Sequence, residues 1–180
     1  MKLKQGSKAK NIRLLSIDDA IFNSDSLKGK PYLLSFYRFA SCPFCNLRIN
    51  ELVTRYKEFG DNFEIIAIFD SSSDNLKKHA LEHQSPFPIL ADEENEYYQK
   101  YAIEHSFLGM LKGMFFRIPT LFKGLFRGYI PTTIKGSITT MPADFLIDEK
   151  GIIQKAYYGK DEGDHLTFDE IKTFSKTKLQ

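Results

Sequence analysis

The chain has 180 residues, of which 42% are hydrophobic and 27% charged, and its formal net charge is +2. That length suits one domain with a substantial apolar core, and the charge is too small to point to nucleic acid. No run of about 18 apolar residues is present to span a bilayer, and the opening MKLKQGSKAKNIRLL lacks the apolar stretch of a secretory signal, so a cytoplasmic setting is the expectation.

PYLLSFY (31–37), bounded by the GKP that leads into it, reads as a buried strand, and EIIAIFD (64–70) as a second. Between them, residues 43–59 predict a helix, because Cys45, Ile49, Leu52, Val53 and Tyr56 recur at three- and four-residue spacing. Strand, helix, strand implies a parallel pair with a right-handed crossover. SSSDNLKKHALEHQ (71–84) predicts a second helix behind serine caps. FPILAD (87–92) reads as a short strand, and EENEYYQKYA as a polar helix after it. ADFLIDEKGIIQKAYYG (143–159) reads as a hairpin with Gly151 closing its turn, and Thr167 with Glu170 forms a T-x-x-E capping box that opens a last helix. The expected class is α/β: one domain over 1–180, a central mixed sheet flanked by helices.

Residues 105–135 differ in composition. They hold five Lys/Arg and no Asp or Glu. Ile118, Leu121, Phe122, Leu125, Phe126 and Tyr129 share one helical face, which predicts an insertion of one or two short helices broken at Pro119. The expected role is a helical cap folded on its own core. Three others stay open: a cover that narrows the active-site groove, a face for a partner or a homodimer, and contact with an anionic membrane surface.

The only cysteines are Cys42 and Cys45, in RFASCPFCNLR (38–48). Cys42 falls at the start of the expected helix, and Pro43 suits its first turn. Unpaired N–H groups and the helix dipole there favour a thiolate. Cys45, one turn on, begins the apolar stripe. The expectation is an exposed attacker, Cys42, and a shielded resolver, Cys45. Two reduced core cysteines, or a zinc site completed by His79 and His83, are the competing readings; the gap from Cys45 to His79 is far longer than zinc-finger spacing. No metal, flavin or nucleotide is implied, since no glycine-rich phosphate loop is present.

The chain resembles the peroxiredoxin-like branch of the thioredoxin-fold superfamily, the alkyl hydroperoxide reductase and thiol-specific antioxidant family. QGSKAKNIRLLSID with SLKGKPYLLSFY is similar to that family's opening, CPFC to its C-P-aromatic-C, FPILAD to the segment before its next helix, and TTMPADFLIDEKGII to its Pro-bearing strand and hairpin. The resemblance implies a thioredoxin-like three-layer fold. It also implies a thiol-dependent oxidoreductase acting on a disulfide or a hydroperoxide, with electrons from a thioredoxin- or glutathione-type donor. It places Pro142 beside the cysteines as a cis-proline, with the backbone of Met141 free to pair with an extended substrate.

The P-x-x-x-T-x-x-C of peroxiredoxins is missing in either register: counting back from Cys45 finds Arg38 and Cys42, and from Cys42 finds Ser35 and Phe39. The thioredoxin arrangement assigns attack to Cys42, while the peroxiredoxin alignment assigns the peroxide to Cys45. Arg38 is close enough in sequence to assist a thiolate, or is a solvated strand-end charge. Asp144 reads as a sheet-edge carboxylate with a proton relay as the alternative, and His165 as a surface residue. A disulfide reductase without peroxidase activity and a non-catalytic interaction module are the alternative functions.

Overall fold

The computed structural model describes residues 1–27, 29–132 and 136–177. The end of the expected insertion, 133–135, lies outside the described residues.

In chain order the elements are β1 (Arg13–Ser16), β2 (Ile21–Asn23), β3 (Tyr32–Tyr37), α1 (Pro43–Arg55), β4 (Glu64–Phe69), α2 (Ser73–Ala80), β5 (Ile89–Ala91), α3 (Glu96–Lys100), α4 (Phe107–Phe116), α5 (Ile118–Phe126), β6 (Ala143–Ile147), β7 (Ile153–Tyr158) and α6 (Phe168–Lys176). The strands form one mixed sheet in the order β2-β1-β5-β4-β3-β6-β7. β3, β4 and β5 run parallel, while β6, β7, β1 and β2 add antiparallel on the two sides.

β3 is buried along its whole length because both faces of the sheet are covered. Leu33 and Tyr37 point toward α1, α2 and α6, joining Ile49, Leu52, Leu76 and Ile171. Tyr32, Leu34 and Phe36 point the other way, joining Tyr97, Tyr98, Tyr101, Phe145 and Ile153. The segment expected to be a polar helix therefore buries three tyrosines, Tyr97 and Tyr98 in α3 and Tyr101 directly after it. Their hydroxyls reach backbone: Tyr98 donates to the carbonyl of Ile68 at 3.0 Å, and the hydroxyls of Tyr97 and Tyr101 accept from the N–H of Arg13 and Lys10 at 2.9 and 3.0 Å. Each ring thus buries its body while satisfying its polar end.

The expected insertion forms the α4–α5 pair, with Pro119 in the first turn of α5. The expected single apolar face divides. Leu121 and Leu125 are half-buried, whereas Ile118, Phe122 and Phe126 are exposed. Inward contact is made by small residues: a Cβ on Gly124 would lie 2.9 Å from Pro43 Cβ, and one on Gly109 would lie 2.8 Å from Met141 Sδ. The helices therefore seat closely on α1 and on the approach to β6, with their bulky side chains turned away.

Candidate functional site

The loop after β3 turns into α1 at Cys42. The residue is extended, with φ −64° and ψ 120°, and Pro43 follows at the first helical position, where a missing N–H leaves nothing unsatisfied. Asn46 holds this turn. Its Nδ2 donates to the carbonyls of Ala40 at 2.7 Å and Cys42 at 3.0 Å. Its Oδ1 can only accept, so His83, 2.8 Å away, donates from Nε2. Burial lowers the His83 pKa. His83, named in the sequence only as a possible zinc ligand with His79, is buried with its Nε2 engaged by Asn46.

Both thiols are free, and both are buried. This corrects the expectation of an exposed Cys42: its relative exposure is 0%, that of Cys45 is 1%. The reason lies in the segments packed around the first turn of α1. α5 sits on Pro43 through Gly124, and Phe39 and Phe44 are buried alongside.

Burial alone would push both thiols up. For Cys42 it is outweighed: the Cys45 thiol donates to its sulfur, Arg38 adds a positive charge, and the N–H groups of Cys45 and Phe44 face it, so its pKa falls to about 7. The sulfur makes no complete capping hydrogen bond; the helix start acts on it as a cluster of N–H dipoles. For Cys45 burial prevails, and the neighbouring Cys42 sulfur raises it further, so its pKa lies well above the ordinary thiol value. One proton shared between the two sulfurs thus rests on Cys45.

Arg38 leaves the end of β3 and is 5% exposed, so it is not a solvated charge. Its Nη2 donates to the carbonyl of Ile138, and its Nη1 lies 3.9 Å from Glu162 Oε1. Glu162 comes from the GKDEGDH loop (159–165), to which sequence reasoning assigned no chemistry. It is almost fully buried against Gly113 of α4, and burial raises its pKa. The more readily Glu162 takes up a proton, the more of the guanidinium charge is left for the sulfurs.

Pro142 and Met141 also reach this end of the sheet. Phe36 pairs with Ala143, so Pro142 stands level with Tyr37, at the strand end from which the cysteine loop leaves. The expected cis bond is absent: no described peptide bond is cis, and Met141–Pro142 is trans. Nor is the Met141 backbone open. Its N–H donates to the carbonyl of Glu104 at 2.8 Å, the N–H of Ser106 donates to that of Thr139 at 2.7 Å, and His105 bridges Thr140. The run into α4 thus pairs with the edge that was expected to accept an extended substrate.

Asp144 and His165 also depart from expectation. β6 lies between β3 and β7, so Asp144 is not at an edge; it is fully buried. Its carboxylate accepts from Ser35 Oγ at 2.5 Å, from the Leu166 N–H at 2.7 Å and from His165 Nδ1 at 3.1 Å. Burial opposes the charge, but His165, Arg48 and the Ser35 hydrogen bond outweigh it and hold the carboxyl below its usual range. The His165 side chain is 5% exposed, so it is not a surface residue. The only sequence hint was that it stands two residues before the Thr167 cap, and loops rarely declare which of their polar residues turn inward.

The cleft nearest the cysteines holds about 200 Å³ and is lined by Phe44, Arg48, Lys123 and His165 among others. The larger cleft, about 670 Å³, lies between the β1–β2 hairpin and residues 84–89 and contains none of these groups. The cysteine pair, Arg38 and Glu162 thus lie away from that larger cleft.

A peroxiredoxin from Hyperthermus butylicus is 25% identical to the chain over 174 residues, covering 92% of this chain and 62% of that protein. The chloroplastic peroxiredoxin Q of Sedum lineare is 26% identical over 113 residues, covering 62% of this chain and 61% of that one. The chain thus spans about three fifths of the length of these curated relatives. The crystal structure of peroxidoxin BcpB from Mycobacterium tuberculosis superposes with a TM-score of 0.68 at 14% identity over 97% of each chain, so the fold is the thioredoxin-like one. Residues 5–156 match the AhpC/TSA family. A match that runs from before β1 into the last strand, β7, makes the chain a member of the AhpC/TSA family.

Proposed function

We propose that the protein is a thiol-dependent oxidoreductase in which Cys42 attacks and Cys45 resolves. The observation that carries this reading is the opposite displacement of the two thiols: Cys42 down to about 7 at the start of α1, Cys45 well up one turn later. At neutral pH about half of Cys42 is then thiolate, the species that attacks.

With a hydroperoxide, the Cys42 sulfur attacks the terminal oxygen. The S–O bond forms as the O–O bond breaks, the leaving alkoxide takes a proton to become alcohol, and Cys42 becomes a sulfenic acid. The Cys45 sulfur then attacks it, forms the S–S bond and releases water. With a disulfide, Cys42 displaces one thiolate to give a mixed disulfide, and Cys45 displaces the other. Either route leaves a Cys42–Cys45 disulfide, which a thioredoxin- or glutathione-type dithiol reduces by the reverse exchange. Such donors belong to reducing compartments, which suits a cytoplasmic setting. Since both sulfurs are buried, reaction requires the segments packed on the first turn of α1 to part. Arg38 would then face the incoming oxygens or sulfurs, with Met141 and Pro142 forming the adjoining wall.

Alkylation of the two cysteines followed by mass spectrometry across pH tests the assignment. The expected result is a Cys42 midpoint near 7 and a Cys42–Cys45 bridge after peroxide treatment. Earlier ionisation of Cys45 would reverse the roles, and the lack of any bridge would end the reading. The missing P-x-x-x-T favours a second reading, disulfide reduction without peroxide chemistry. Peroxide consumption measured beside insulin-disulfide reduction separates the two.

A further inference from the structure

The chain carries a concentrated apolar surface on α4–α5 that the thiol chemistry does not use. Phe107, Leu108, Leu111, Met114, Phe115 and Phe116 are exposed on α4, and Ile118, Phe122 and Phe126 on α5. Phe115 is 78% exposed and Phe126 87%. Single exposed apolar residues need no explanation, but a contiguous run of this size marks a surface that is covered by something else. The orientation is built in, since the fully buried residues of the two helices are Gly109, Met110, Gly113 and Gly124, with Leu121 half-buried against the core beside them. Bulky side chains could have packed inward; glycine there leaves them facing out.

Charge decides what covers this face. Residues 105–132 contain Lys112, Arg117, Lys123 and Arg127 and no carboxylate. Arg117 pairs with Asp161 at 2.6 Å, and Lys123 lies 3.5 Å from Glu51. Arg127 donates to the Asn50 amide, and Lys112 has no carboxylate partner among the described residues. A second copy of the chain would bring the same cations against these, with no acid on the face to pair them. An anionic lipid surface supplies both missing complements: phosphates for the cations and acyl chains for the rings. α4 has 10 residues and α5 has 9, so each is roughly 15 Å long, half the hydrocarbon thickness of a bilayer. No described helix is long and apolar enough to cross. The pair can lie in the interface and cannot span.

We propose that the α4–α5 face docks the protein on anionic membrane surfaces, with Phe115, Phe116, Phe122 and Phe126 entering the acyl boundary and Lys112 and Arg127 meeting the headgroups. This docking does not depend on the cysteine reading.

The test uses the full chain and vesicles of phosphatidylcholine alone or mixed with phosphatidylglycerol. Because the chain has no tryptophan, Phe115→Trp provides a lone reporter. The expected result is flotation with the mixed vesicles, a blue shift of that tryptophan, and release by high salt. Phe115→Ser with Phe126→Ser, both at exposed positions, should lower the bound fraction by about tenfold, and Lys112→Glu by about fivefold. Circular dichroism confirms that these variants fold. Absence of flotation, equal binding to neutral vesicles, or indifference to Phe115→Ser with Phe126→Ser would overturn the proposal. So would a solution dimer that the same double variant dissociates, which would assign the face to a second copy.

Discussion

The sheet and the α4–α5 pair use the same residue types in opposite ways. In the sheet Phe36, Phe69 and Phe145 are buried to 1% exposure or less, each among other rings; in α4–α5 the phenylalanines face outward and glycine faces in. Hydrophobicity alone therefore says little about which way a residue points. What decides is whether an element has a covered face to fill. β3 has two such faces, while α4 and α5 meet their neighbours along a narrow glycine line that leaves no space for a ring.

The largest expected effect tests that contrast directly. Phe36→Ala removes a ring that touches Tyr98, Tyr101 and Phe145, at centroid distances of 5.1, 5.1 and 6.0 Å. It should cost about 3–5 kcal/mol by urea denaturation. Phe126→Ala should change stability by less than about 0.5 kcal/mol. Similar losses at the two positions would mean that α4–α5 hides its rings in solution.

A second substitution addresses the glycine line. Gly124→Leu places a side chain where even a Cβ would stand 2.9 Å from Pro43 Cβ and 3.4 Å from Leu47 Cδ1. Overpacking of this kind costs about 1–3 kcal/mol. Because Pro43 adjoins Cys42, the displaced helix should also speed alkylation of Cys42. An unchanged alkylation rate would show that α5 does not control access to the thiol.

Arg38 links the two regions: it directly follows β3, donates to Ile138 beyond α5 and faces Glu162, which packs on α4. Arg38→Met should raise the alkylation midpoint of Cys42 from about 7 by about one pH unit, equivalent to about 1.4 kcal/mol. The folded-state pKa of Cys42 lies below that of a free thiol. Its stabilising contribution is therefore full above about pH 8.5 and is lost as the pH falls through about 7. Arg38→Met should flatten that dependence. A midpoint that does not move would leave the helix start and Cys45 as the whole cause.

Much of the sheet was legible in the sequence because its signals are local. Two apolar strand runs, the stripe through Cys45, Ile49 and Leu52, and the Thr167–Glu170 box each declare themselves within one element. The positions of Cys42 and Arg38 followed from that register. The burial of His165, Glu162 and Asp144 did not, because it arises from a loop folding back onto β6 and onto the end of β3, a contact between residues far apart in the chain. The outward turn of Phe122 and Phe126 was equally hidden. Periodicity identifies a shared face and is silent on which neighbour that face meets. The trans bond at Pro142 and the occupied N–H of Met141 were missed for a related reason: the pairing of residues 104–106 with 139–141 is made by a segment outside the parts that carried the resemblance.

The narrowest contrast is between two helix caps. Ser106 accepts from the Gly109 N–H at 2.9 Å and opens α4; Thr167 accepts from the Glu170 N–H at 3.2 Å and opens α6, which docks on the sheet through the buried Ile171. Removing either hydroxyl with alanine should cost about 1 kcal/mol. The two losses should differ in reach. α6 belongs to the core, so Thr167→Ala should lower the global unfolding midpoint. α4 touches the body mainly through glycines and Met110, so Ser106→Ala should act on local opening, with amide exchange in α4 rising about fivefold while exchange in β3 and β4 stays fixed. If Ser106→Ala shifted the β3 and β4 amides equally, α4 would be part of the cooperative core, and its outward phenylalanines would belong to the same folding unit as Phe36.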